Sequence, residues 1–231
     1  MSHNSFFAKF LRFIGIVLMA LTGGFTLLGG IGTSCAAFNP TGFGESMAPL
    51  APFQWLYILF VLTGVVIGVW GIWATIKLVK GTSDSYKMSI QALITGAVIG
   101  FVHIYVSRAL RGKSMPVDAV VYTTVLTLIV FLIFRIPSIW QRVNFNKGGS
   151  NKTAGGAAAI ILGLLTLTIQ HSMASTHTWG GVNYADAFNF GMTITGVGLL
   201  LLSAGIFVSV DKVKVWARRF EVKEEANIFT A

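Results

Sequence analysis

Charged residues punctuate this chain at intervals instead of alternating with its apolar ones. Asp, Glu, Lys and Arg are absent from 13–44, 46–76, 88–107, 119–134, 153–185 and 187–210. An α-helix rises about 1.5 Å per residue, so about 20 apolar residues cross a hydrocarbon layer of about 30 Å. The six windows predict six transmembrane helices, near 11–33, 54–76, 88–108, 118–137, 155–175 and 190–210. The fourth window is short, and completes a crossing only with the Arg135 guanidinium snorkelling to the interface. The fold class that follows is an all-α integral membrane protein of six transmembrane helices, arranged as three consecutive hairpins. Residues 1–231 form a single polytopic membrane domain, and its polar tail at 221–231 is expected to fray.

Composition narrows the class. Apolar residues make up 54% of the chain and charged ones 11%, with a mean hydropathy of +0.74, whereas a soluble domain is about a quarter charged. Disorder and a coiled coil are excluded, and so is a disulfide scaffold, because Cys35 is the one cysteine. Lys9 and Arg12 precede an apolar run as in a signal peptide, and Gly32-Thr33-Ser34-Cys35 has a faint likeness to a lipoprotein cleavage site. The run exceeds the roughly 7–15 residues of a signal sequence, so it is read as the first span.

Orientation follows from the basic residues. Fourteen of the 17 lie on the side that holds both termini, and only Arg108, Arg111 and Lys113 on the other. The positive-inside rule places both termini in the cytoplasm, in a cytoplasmic (inner) membrane. The pI of 9.9 then reflects topology and attraction to anionic lipid, with no nucleic-acid partner required.

Small residues recur with helical spacing. Gly64, Gly68, Gly71 and Thr75 form one stripe on the second span; Gly96, Gly100, His103 and Ser107 repeat it on the third, and Ala159, Gly163, Thr166 and Gln170 on the fifth. In lipid, where apolar burial does not drive helices together, such stripes allow close packing. A Thr-Gly phrase also recurs, and Leu62-Thr63-Gly64-Val65 matches Ile194-Thr195-Gly196-Val197 at an offset of 132, which suggests duplicated hairpins or a shared bias of composition. Both ends carry aromatic and basic residues suited to the headgroup layer: Lys9 and Arg12 among phenylalanines, and Trp216, Arg218 and Arg219 near the other terminus.

Candidate chemistry is sparse. No acid and no lysine lies in mid-span, which points away from a proton-coupled or ion-coupled transporter. His103 and His171 fall at similar depth on the third and fifth spans, a pair suited to axial ligation of haem b, with Arg108 and Arg111 placed for propionates. The plainer reading gives each histidine a hydrogen bond to a neighbouring helix or a place at the outer interface. His171, His177 and Asp186 form a weak metal constellation in a glycine-containing loop, which is more simply a folded cap, and no metal is expected. Cys35 reads as a packing residue. Phosphate loops, hydrolase elbows and paired carboxylates are missing, so no enzyme is expected.

Three functional readings remain. The first is a non-catalytic subunit or assembly partner of a larger membrane complex, bound to protein partners or to copies of itself. The second is a haem- or pigment-binding electron-transfer subunit using His103 and His171. The third is a channel or facilitator for a small neutral solute, lined by Thr, Ser and Gly.

Overall fold

The structure, a computed structural model, describes residues 5–43, 45–145, 151–173, 178–179 and 181–228, the last of these by backbone alone from 211 onward. The helices are α1 (Phe6–Gly32), α2 (Ser34–Phe38), α3 (Gln54–Lys80), α4 (Ser85–Arg111), α5 (Val117–Phe134), α6 (Pro137–Val143), α7 (Lys152–Met173) and α8 (Asn189–Ile228). Six of them, α1, α3, α4, α5, α7 and α8, are long and apolar enough to cross a membrane. Two 3-10 turns, Pro40–Phe43 and Ala48–Phe53, lead from α2 into α3, and a two-stranded hairpin pairs Thr178–Trp179 with Val182–Asn183.

Local chemistry sets the boundaries. Ser5 caps α1, its hydroxyl accepting from the Ala8 N–H at 3.3 Å, so the helix begins five residues before the predicted span. α3 ends at Gly81, whose φ of +69° is left-handed and whose N–H reaches the Leu78 carbonyl. Across the turn that follows, Lys77 pairs with Asp84. The hydrogen bond from Lys77, reinforced by one from Thr82, holds the Asp84 carboxyl below its ordinary pKa. α5 stops at Phe134, short of the expected 137, because Pro137 holds Ile136 in an extended conformation (ψ 127°) and opens α6. The Arg135 guanidinium lies over the Trp140 ring, 5.3 Å from its centroid. α8 continues to Ile228 where a fraying tail was expected: no glycine or proline follows Gly205, and the segment is rich in Lys, Arg, Glu and Ala.

The bundle is organised around α1, which packs against α3, α5 and α7. Its contact with α3 is backbone on backbone. A Cβ on Gly23 would stand 2.9 Å from the Gly71 carbonyl carbon, one on Gly64 would stand 3.6 Å from the Gly30 Cα, and one on Gly68 would meet the Leu27 backbone nitrogen at 2.5 Å. These pairings run antiparallel. On α4, Gly96 faces Ile67 and Thr124, and Gly100 faces Val121. On α7, Gly163 faces the Gly196 carbonyl of α8, and the Ser203 hydroxyl of α8 donates to the Gly156 carbonyl at 3.0 Å. α8 packs on α7, and 11% of its most apolar window is buried against 44% for α1.

At the end of the bundle where α1 begins, an apolar core gathers Ile16, Leu78, Phe131, Phe134, Val143 and Phe145. Tyr86 enters this core and donates its hydroxyl to the Phe131 carbonyl at 2.7 Å. Gly68→Leu and Gly100→Leu should each overpack a seam and cost about 1–3 kcal/mol. Gly198→Leu, at a position with no neighbour within 4 Å, should leave the monomer's stability unchanged. Thermal unfolding in detergent separates the three, and equal melting temperatures for Gly68→Leu and wild type would refute the seam.

Candidate functional site

The residues able to do chemistry gather at the end of the bundle opposite the start of α1, where α3, α4 and α5 meet the segment leading into α3. His103 lies on the same face of α4 as Ser107, one turn further on. Its imidazole stacks on Phe60 of α3 at 4.3 Å between centroids and 15° between planes, and Tyr57 meets it edge-on at 5.5 Å. The Tyr57 and Ser107 hydroxyls share a buried hydrogen bond of 2.8 Å. Ala37 and Leu50, from the segment before α3, close over Tyr57, Phe60 and Val61 in a second apolar core. His103 is thus held by ring packing, half-buried, between two aromatic side chains.

Beyond it lies a polar clasp between α4 and α5. Arg108 Nε donates to Ser114 Oγ at 2.8 Å and Nη2 to Asp118 Oδ1 at 3.0 Å, while Ser114 Oγ donates to Asp118 Oδ2 at 2.7 Å. Asp118 is buried and Arg108 is largely exposed. The chain can turn back to make this clasp because Gly112 takes the left-handed φ of +67°. Arg111 Nη1 approaches Met47 Sδ at 2.6 Å, and Nη2 reaches the Lys113 and Met115 carbonyls. Its Nε is buried without a partner among the described residues. Both arginines considered for propionates are therefore turned to protein groups. Asp118, the one buried carboxylate of the cluster, is committed to Arg108 and Ser114.

His171 is exposed near the C-terminal end of α7, a helix that packs on α8, α1 and α3. No hydrogen bond or ring contact joins it to His103 among the described residues. Asp186 accepts from Asn183 Nδ2 at 3.0 Å in a local turn, and His177 lies outside the described residues. Among the described residues no three His, Cys, Asp or Glu side chains converge as metal ligands. Cys35 is a half-buried free thiol in α2.

At the other end of the bundle, Lys9 is exposed. Arg12 is 7% exposed, and its Nη1 donates to the Arg142 carbonyl at 3.3 Å. α6 folds back against α1 at Arg12, a contact the sequence did not signal because Arg142 lies 130 residues away. The side chains of Trp216, Arg218 and Arg219 lie outside the described residues.

No family model, no curated protein and no solved structure matches this chain. Asp118→Ala should strand Ser114 and Arg108 and destabilise the fold by about 1–3 kcal/mol. Asp84→Ala, at an exposed pair, should be close to neutral. Unfolding midpoints in one detergent test the contrast, and equal effects would show that the clasp is not structural.

Proposed function

We propose that this protein is a non-catalytic, membrane-embedded subunit that works by assembling with a transmembrane partner along α8. One observation carries the reading. Apart from Gly32 at the end of α1, every glycine of α1, α3, α4 and α7 has a neighbour within 4 Å of where a Cβ would stand, whereas Gly191, Gly198 and Gly205 of α8 have none. These three recur every seven residues on one face. The α3 positions at the sequence offset of 132 carry Leu59, Val66 and Trp73, which are bulky and exposed. Lipid packs readily on such side chains, while a row of glycines suits the close approach of another helix. The partner is a protein helix, from a second copy or a different chain.

In this reading both termini are cytoplasmic, as the 14-to-3 asymmetry of basic residues implies. In a Cys35→Ser background, an impermeant thiol reagent added to intact cells should label Lys113→Cys and spare Lys80→Cys; the reverse pattern inverts the topology. For assembly, purification in mild detergent followed by mass measurement should yield a complex. Gly198→Leu should release the monomer without unfolding it, and a wild-type protein that is monomeric at every detergent concentration would sink the proposal. The same preparation tests the haem b alternative, since a visible haem absorption band removed by His103→Ala would replace assembly with electron transfer.

A further inference from the structure

Midway along the bundle, α1, α3, α4 and α5 border a small, partly open cavity lined by Met19, Thr22, Thr26, Gly71, Gly96 and Thr124, among others. Its volume of about 10 Å³ is near the least that admits one water molecule. Three of its lining residues, Gly23, Gly71 and Gly96, are glycines. Three of the lining residues are threonines, at a depth where a bilayer offers no water.

Their hydrogen bonds define what the cavity accepts. A hydroxyl has one proton to give and two lone pairs. Thr26 has given its proton to the Thr22 carbonyl at 2.7 Å, and Thr124 to the Val120 carbonyl at 2.8 Å. Thr22 shares a proton with Thr127 of α5 at 2.7 Å. Thr26 and Thr124 therefore retain acceptor capacity and have no proton left to offer. The fitting guest is small, neutral and a donor of two hydrogen bonds. A bare cation fits poorly, since no carboxylate lines the cavity to offset the cost of desolvating it, and a larger solute has no room.

We propose that this cavity is a mid-membrane hydration site, holding one water molecule that donates to threonine hydroxyls of α1 and α5. The site is independent of any partner on α8. Waters of this kind bind polar groups that belong to different helices and are part of the fold.

Met19 supplies the readout. It lines the cavity, is 1% exposed, and carries an oxidisable sulfur. X-ray radiolysis generates hydroxyl radicals from bound as well as bulk water, so a water in the cavity should oxidise Met19 in the full-length protein in lipid nanodiscs. Met115, 62% exposed, gives the solvent reference, and Phe131, 0% exposed in the same apolar core, gives the dry one. Mass spectrometry should show Met19 sulfoxide in the wild type. Gly96→Ala should abolish it, because the new Cβ stands 3.5 Å from Thr124 and 3.3 Å from Ile67, a tight contact that Ile67 relieves by shifting a few tenths of an ångström. Thr124→Val, which keeps the shape and removes the acceptor, should abolish it too. Met19 as unreactive as Phe131 in the wild type, or equally oxidised in either variant, overturns the proposal. A Met19 yield that changes when sodium is replaced by choline would assign the site to a cation and overturn it as well.

Discussion

Everything in this bundle depends on how closely α1 and α3 approach. In water, two apolar helices are driven together by the surface they remove from solvent; in lipid that gain vanishes, and contact area and weak polar bonds must serve. Gly23, Gly30, Gly64, Gly68 and Gly71 supply that area by bringing main chain against main chain. α1 then holds α5 through the Thr22–Thr127 hydrogen bond and α7 through Gly24, which receives Leu162. With α1 fixed, α4 takes its place between α3 and α5.

Among the described residues, the charged side chains that bond across elements lie near the helix ends. At one end Arg108, Ser114 and Asp118 clasp α4 to α5. At the other, Arg12 reaches a carbonyl of α6, and Asn151 bonds the Leu78 and Val79 carbonyls, tying the start of α7 to the end of α3. Between the ends, many of the described hydroxyls, including those of Thr26, Thr75, Thr124 and Thr166, return their proton to a carbonyl one turn back in the same helix. As donors, these hydroxyls are satisfied within their own helices.

Much of the helical plan is legible from sequence because membrane spans are written in absences: where charge stops, a helix can cross. Gly64, Gly68 and Gly71 are legible as a stripe for the same local reason, since helical spacing depends only on sequence separation. What they face is not legible. Nothing in Gly71 names Gly23, and nothing in His103 names Phe60, because those pairings are set by how two helices rotate against each other. Arg12 shows the limit most clearly. Its neighbours in sequence describe a lipid anchor and give no sign of its hydrogen bond to α6, which exists because Pro137 breaks the chain after Phe134 and restarts it at an angle.

The continuity of α8 carries a mechanical consequence. Its 40 residues extend about 60 Å, twice the hydrocarbon thickness, so the part beyond Val210 is a stiff arm of about 27 Å with no glycine or proline to absorb bending. Among the described residues α8 packs chiefly on α7, so it is a lever borne mainly by one neighbouring helix. A tilt of about 10° at that contact would sweep the far end of the arm through about 5 Å, turning a small adjustment inside the bilayer into a displacement large enough to make or break a contact outside it.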